Sequence, residues 1–117
     1  MFVAFPKASA QMTTDMRKTA VIEMRKQLPM EVAEGMKWTK VDLSKDGQVM
    51  VWTFKVNPRE MGSTLSEAKE ELNSYTNSEF KSLLGDDFDE MLQIYDCDVQ
   101  IIIEFPDNTS KKFRIRK

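Results

Sequence analysis

The first patterned stretch of the chain carries an apolar residue at every fourth position. These positions are Met12, Met16, Ala20, Met24 and Leu28. Because residues four apart share one side of an α-helix, the spacing predicts a helix that runs to about Leu28, with Thr13 or Thr14 as its cap. Pro29 then interrupts the helix, and residues 31–35 are predicted to form a connector.

Two hairpins are predicted from alternating apolar and polar residues. The first joins strands 36–43 and 48–56 through the turn Lys45-Asp46-Gly47. Its second strand has one bulky face, which we expect to point into the core: Met50, Trp52, Phe54 and Val56. The second hairpin joins a strand over 99–105 to one over 111–116, through a turn at Pro106. Its last strand is predicted to point three basic side chains outward: Lys112, Arg114 and Arg116.

The segment between the hairpins is predicted to be helical. Thr64 and Glu67 have the spacing of a capping box. The helix that they start carries apolar residues as far as Leu84, and Gly85 is its expected stop. Asp86 is predicted to cap a further short helix that ends near Tyr95.

Two hairpins separated by helices favour the α+β class. We expect a four-stranded antiparallel sheet with the helices packed on one face, in the order α-β-β-α-(α)-β-β. At 117 residues the chain fits one domain, which we place at 13–117. No run of about 20 apolar residues is present, so no transmembrane segment is predicted.

Residues 1–12 are predicted to be a flexible tail or the remnant of a signal peptide. Ala8-Ser9-Ala10 follows the short apolar stretch 1–5, which is typical of a secretory cleavage site before Gln11. The apolar stretch is shorter than usual for a signal peptide, and a short strand over residues 2–5 is the structural alternative. The expected location is therefore periplasmic or secreted, with the cytoplasm as the alternative.

Charge is unevenly distributed although the net value is only −2. Residues 59–105 carry 12 acidic and 3 basic groups, whereas residues 106–117 carry 5 basic groups and 1 acidic group. We interpret these as solvated helix faces and a sheet edge protected by charge. Near-neutral net charge favours no nucleic-acid partner.

The chain has no histidine and one cysteine, Cys97. Histidine-dependent catalysis and the usual transition-metal sites are therefore excluded. The carboxylates of Asp96 and Asp98 are expected to raise the pKa of the Cys97 thiol, which favours a buried structural role. No phosphate-binding loop is present either, so we expect neither an enzyme nor a cofactor.

Two groups of residues are candidate sites. The first is an acidic cluster, Asp86, Asp87, Asp89 and Glu90. Its oxygens suit Ca²⁺, but the spacing is not that of an EF-hand and acidic residues are favoured in a first helical turn, so they are only weak metal candidates. The second group is aromatic and would line an apolar pocket or a binding platform: Trp38, Trp52, Tyr75 and Tyr95. Core packing is the alternative for the tryptophans.

One part of the chain resembles a group of known proteins. Gln27-Leu28-Pro29-Met30, then Val32, Gly35 and Met36 and a hydrophobic hairpin, resemble small exported bacterial domains of uncharacterised function. The resemblance covers roughly residues 14–56 and, more loosely, the final hairpin. It implies an exported α+β domain and brings no catalytic residues. This sequence lacks a lipoprotein cysteine near its start, so membrane anchoring is not implied.

The function expected from the sequence is that of a non-catalytic bacterial domain, exported, which acts by binding or self-association. The alternative is a domain that holds a small apolar ligand between a curved sheet and helices. The expected partners are a protein or such a ligand. A homodimer is a further possibility, in which the basic last strand of one copy meets the acidic segment 59–105 of another.

Overall fold

The computed structural model describes residues 13–117, which form four helices and five strands. The elements in chain order are α1 (Thr14–Arg25), β1 (Met30–Ala33), β2 (Met36–Leu43), β3 (Val49–Val56), α2 (Leu65–Ser74), α3 (Asn77–Leu84), α4 (Asp86–Tyr95), β4 (Asp98–Glu104) and β5 (Ser110–Ile115). The α+β class is confirmed. The prediction of a tail or signal remnant at 1–12 lies outside the described residues.

The strands form one mixed sheet in the order β1-β2-β3-β4-β5. Both expected hairpins are present, but β3 and β4 pair in parallel. The prediction of a four-stranded, fully antiparallel sheet was therefore wrong in strand number and in this one pairing. The physical reason is the helical segment α2–α4, which returns the chain to the starting end of β3, as a crossover between parallel strands must.

The fifth strand comes from the segment that was expected to be a connector. Met30 lies opposite Trp38 and Glu31 opposite Lys37, so β1 extends the sheet beyond β2. Gly35 makes the tight reversal into β2 with φ of 79°, a backbone conformation that glycine adopts without strain. Four residues are too few for an alternating pattern to indicate a strand.

The helix expected over 64–85 is two helices, because a second cap interrupts it. The Thr64–Glu67 capping box is confirmed at the start of α2. Thr76 then begins α3: the Glu79 amide donates to Thr76 Oγ1 at 3.1 Å, and the Thr76 amide donates to Glu79 Oε1 at 2.9 Å. This second Thr-x-x-Glu signature is also legible in the sequence, but the apolar residues on both sides of it suggest one continuous helix.

Two further helix ends differ from expectation. Thr13 caps α1, but the helix ends at Arg25 and not near Leu28. Asp86 is the first residue of α4, with Gly85 in the cap position and no side-chain cap. The prediction of Asp86 as a helix cap was therefore wrong.

The helices pack on the sheet face that carries Trp52. Val41, Trp52, Ile101 and Phe113 are neighbours across four strands on this face. The ring of Phe80 from α3 stacks on Phe113 at 3.9 Å between centroids, and Phe88 from α4 meets the Trp52 ring edge-on at 5.4 Å. The expected burial of Trp52 is confirmed, and Ile101, Ile103 and Phe113 are buried with it, whereas Phe54 is half-buried.

Helices also satisfy backbone groups along the sheet edges. The Arg114 amide of edge strand β5 donates to Asn77 Oδ1 at 3.1 Å, and Lys81 Nζ of α3 donates to the Arg116 carbonyl at 2.6 Å. On the other side, Arg25 Nε donates to the Val41 carbonyl at 2.9 Å, beyond the end of β1. These contacts leave fewer free backbone groups for another strand to pair with.

None of the helices described in residues 13–117 is both long enough and apolar enough to cross a membrane.

Candidate functional site

The sheet face opposite Trp52 and Phe113, which we call the open face, points away from α3 and α4. Cross-strand register places its residues in three main rows: Asp42, Val51, Gln100 and Arg114; Lys40, Thr53, Ile102 and Lys112; Lys37, Lys55, Glu104 and Ser110. Val51 and Ile102 are half-buried, and Thr53 beside them is 5% exposed, so the exposed lysines surround a centre that is largely shielded from solvent.

Four lysines dominate the charge of this face: Lys37, Lys40, Lys55 and Lys112. We call these four residues the lysine patch. All four are exposed, and none takes part in an ion pair among the described residues.

Two of the four acidic groups near the lysine patch are already neutralised by arginines. Asp42 pairs with Arg25 at 2.7 Å and Asp98 pairs with Arg114 at 3.0 Å. Glu104 on β4 and Glu31 on β1 are the acidic side chains of this region without an ion pair in residues 13–117. The lysine patch therefore keeps an excess of positive charge.

Two cavities border the open face. One, of about 410 Å³, lies between Lys40, Lys55 and Glu104 and the turn that leads into β5. The other, of about 280 Å³, lies where the end of α1 meets Lys40 and Asp42. A third cavity, of about 430 Å³, lies at the far end of β3 between Val56, Pro58 and Leu65.

The four aromatic candidates do not gather around one cavity. Trp38 and Trp52 lie together, with ring centroids 4.3 Å apart, and Trp52 is only 8% exposed. The Tyr75 hydroxyl donates to Glu71 at 3.2 Å, which raises the pKa of Tyr75. Burial raises the pKa of Tyr95. The three cavities described above are lined by other residues, and ligand binding by these four aromatics stays a prediction.

The acidic cluster occupies the start of α4. Asp86, Asp87 and Asp89 lie in the first turn, where the helix dipole favours negative charge. Asp89 also pairs with Lys81 at 3.3 Å. In residues 13–117 no three carboxylate or thiol groups converge in a way that could hold a metal ion.

Cys97 is a buried thiol, 2% exposed, at the junction between α4 and β4. Burial is the main cause that raises the pKa of the Cys97 thiol; nearby Arg17 lowers it, and Asp98 and Asp96 add smaller increases. The expected direction is confirmed, although desolvation outweighs the neighbouring carboxylates. A protonated, inaccessible thiol is a poor nucleophile.

The sequence pattern identifies Lys112 of the lysine patch as an outward residue of the last strand, and it is exposed. Alternation along the second strand of the first hairpin also places Lys55 on the face opposite the core, whereas Lys37 and Lys40 were missed. Lys40 follows an irregularity in the β2 register between Trp38 and Lys40, so simple alternation along β2 does not place it.

Fold and surface together define a small α+β domain with a mixed five-stranded sheet, one helical layer and an open basic face. Two solved structures share this fold. One is a Pseudomonas aeruginosa protein, PA3611, suggested to be secreted: the identity is 10%, the match covers 88% of each chain and the TM-score is 0.61. The other is EpsS, the pilotin of the Vibrio vulnificus type 2 secretion system: the identity is 16%, coverage is 88% of this chain and 86% of that one, and the TM-score is 0.61.

These likenesses confirm, for the fold, the resemblance to small exported bacterial domains. No family model matches the sequence, and no curated protein matches it significantly.

Proposed function

We propose that this chain is an exported, non-catalytic domain whose activity is to bind a protein partner. The observation that carries the proposal is the match in fold, over 88% of the chain, to a type 2 secretion pilotin and to a protein suggested to be secreted. In residues 13–117 this fold presents a broad surface for contact, on the open face of the sheet.

The side chains of the described residues support the non-catalytic part of the proposal. Without histidine, acid–base catalysis near neutral pH depends on a carboxylate, lysine, tyrosine or thiol with a suitably shifted pKa. The pKa of Cys97 is raised by burial, and the acidic cluster of α4 lies at a helix start without converging carboxylates. The open face offers exposed lysines, whose positive charge can complement an acidic partner and steer its approach.

Two features of the sequence support the exported part. The first is Ala8-Ser9-Ala10 after a short apolar stretch, a pattern similar to a signal-peptide cleavage site. The second is the single cysteine, Cys97, which is buried and has no partner for an internal disulfide, so the chain is compatible with an oxidising compartment. Fractionation of the host that encodes the chain tests this directly. A tagged copy is expected in the periplasm or medium, with a cytoplasmic enzyme as marker; complete co-fractionation with that marker would contradict export.

Partner binding is tested by chemical cross-linking in intact cells, followed by purification of the tagged chain. We expect one specific cross-linked protein that, once purified, binds the chain in calorimetry with a defined stoichiometry. Absence of any purified protein that binds would contradict the binding role.

The apolar-ligand alternative stays a prediction that concerns different residues. A thermal-shift screen with lipids and aromatic metabolites is expected to raise the melting temperature if Trp38, Trp52, Tyr75 and Tyr95 admit a ligand. Burial of Trp52 to 8% exposure means that such a ligand must displace packed side chains, so the absence of a shift would count against this role.

A further inference from the structure

We propose that the lysine patch is the docking site for an acidic, extended segment of the protein partner. The inference rests on the proposed function and names the chemistry of the partner. The patch comprises Lys37, Lys40, Lys55 and Lys112 on the open face.

Ion pairs within residues 13–117 do not neutralise the lysine patch. The four ammonium groups have no ion-pair partner among residues 13–117. Glu31 and Glu104 lie opposite Lys37 and Lys55 in the register and offset part of the charge, so four lysines face two free carboxylates. Asp42 and Asp98 are held by Arg25 and Arg114. Exposed lysines that lie together on one sheet face repel each other, and an incoming carboxylate relieves that repulsion.

The size of the lysine patch suits a short extended segment. Lys40 on β2 and Lys112 on β5 lie in one cross-strand row, so their Cα atoms are separated by three interstrand steps, about 14 Å in total. An extended peptide crosses that distance with about four residues. The half-buried side chain of Ile102 lies between the two lysines and offers an apolar contact for the residues between two carboxylates.

The cavity and the side chains around the lysine patch favour a peptide as its ligand. The cavity of about 410 Å³ at Lys40, Lys55 and Glu104 is a recess into which a side chain of the segment fits. The three rows of the open face hold no aromatic side chain on which a base stacks, and their arginine, Arg114, is already paired with Asp98. A short acidic peptide fits these conditions better than nucleic acid or an anionic membrane.

The experiment measures fluorescence polarisation of a labelled peptide of alternating glutamate and serine, with a glutamine–serine peptide of equal length as the neutral probe. We expect the purified protein to bind the acidic peptide only. The variant K40E/K55E should weaken binding roughly tenfold, because two attractions become repulsions. The matched variant K18E/K45E changes exposed lysines elsewhere by the same charge and should bind like the wild type.

Circular dichroism and thermal melting of both variants establish that they are folded. Equal loss of binding in both variants would show that net charge alone acts, and it would overturn the docking site. Tighter binding to phosphatidylglycerol vesicles or to a single-stranded oligonucleotide than to the acidic peptide would overturn it as well. So would self-association of the wild type that K40E/K55E abolishes, because a second copy would then occupy the patch.

Failure of the proposed partner-binding role can be distinguished from failure of the lysine patch as the docking site. If the partner found by cross-linking binds wild type and K40E/K55E equally, partner binding stands and the lysine patch is not its site. If no partner is found while the acidic peptide still binds as expected, the patch is an anion site and the partner-binding role is the part that fails.

Discussion

Arg17 is the buried charge on which three parts of the chain converge. The side chain is 4% exposed, and its Nε donates to the Gly47 carbonyl at 2.6 Å. Nη1 donates to the carbonyls of Tyr95 and Asp96 at 3.1 and 3.2 Å. One guanidinium therefore joins α1 to the β2–β3 turn and to the end of α4, where Asp96 adopts a left-handed conformation.

Replacement of this guanidinium is expected to be costly. Arg17→Ala leaves the carbonyls without their charged donor and should lower the free energy of unfolding by about 3 kcal/mol. Lys18→Ala, at the adjacent exposed position, should change it by less than about 0.5 kcal/mol. Chemical denaturation of both variants measures the difference, and similar values would show that Arg17 contributes nothing beyond its exposed neighbour.

The two tryptophans differ in burial although their rings touch. Trp52 is 8% exposed and lies between Trp38 and the ring of Phe88. Trp38 is half-buried, and its Nε1 donates to the Lys40 carbonyl at 3.0 Å. Trp52→Ala should therefore cost about 3–5 kcal/mol of stability. Trp38→Ala should lower the free energy of unfolding clearly less. If urea denaturation shows a larger loss for Trp38→Ala than for Trp52→Ala, Trp52 is not a core residue, and the binding platform would be placed at Trp52.

At the scale of elements, the β2–β3 turn depends on a glycine for two reasons. Gly47 has φ of 72°, and a Cβ there would collide with the side chain of Thr14 in α1. Gly62 has nearly the same φ, 74°, but nothing lies within 4 Å of the position of its Cβ. Substitutions at Gly47 and Gly62 therefore distinguish the cost of a strained backbone from the cost of a steric collision.

We expect Gly62→Ala to cost about 1 kcal/mol through its left-handed backbone alone. Gly47→Ala should cost more, since Thr14 or the turn must also move. Combining it with Thr14→Ala should recover part of that excess, as a positive coupling in a double-mutant cycle. Purely additive losses in thermal or chemical unfolding would show that the collision is relieved by other means.

The β4–β5 turn is tied to α2 through Asp107. Lys69 Nζ donates to one carboxylate oxygen at 2.7 Å, and the hydroxyl and amide of Thr109 donate to the other at 2.6 and 3.1 Å. These donors, with Lys69 as the first cause, lower the pKa of Asp107 from 3.8 to about 2. Because the folded pKa is depressed, the stabilisation is complete above pH 3.8 and is lost as the pH falls towards about 2.

Asp107→Asn should remove this part of the pH dependence. The wild-type free energy of unfolding is expected to fall more steeply than that of the variant between pH 3.8 and about 2. Denaturation at a series of pH values tests the slope, and carbon-13 NMR of the Asp107 carboxylate tests the pKa itself. A carboxylate that titrates near pH 3.8 would contradict the donor set.

At the scale of the whole molecule, helices protect the edges of the sheet. Asn77 and Lys81 of α3 hold backbone groups of Arg114 and Arg116 beside β5. The last strand lies at an edge of the sheet, and α3 already occupies two backbone groups there, which disfavours pairing with a second copy. We therefore expect a monomer at low and at high salt.

Removing this protection should promote association. Asn77→Ala with Lys81→Ala frees an amide and a carbonyl at the β5 edge, and sedimentation velocity should detect concentration-dependent dimers. Ser78→Ala with Ser82→Ala alters the same helix away from these contacts and should remain monomeric. Dimers of the variant that persist in 1 M salt, where charges are screened within about 3 Å, would indicate strand pairing. Dimers of the wild type that form only at low salt would instead indicate pairing of the basic last strand with the acidic segment 59–105 of another copy.

The sequence by itself determined the local structure of most elements. Alternation specified both hairpins and the inward face of β3, and the Thr64–Glu67 signature specified the start of α2. The Thr76–Glu79 signature is equally legible and marks the break between α2 and α3. The absence of histidine narrows the possible chemistry without any knowledge of the fold, because it depends on composition and on no contact.

Only the tertiary structure decided what depends on residues far apart in the chain. The parallel pairing of β3 with β4 follows from where three helices return the chain, and the short strand β1 is held by its pairing with β2. The lysine patch combines Lys37 and Lys40 with Lys55 and Lys112 through cross-strand register. Hydrophobic periodicity and secondary-structure propensity act within one segment of the chain, whereas strand register and the crossover connection are set by packing between segments. No local sequence pattern could therefore have predicted the lysine patch.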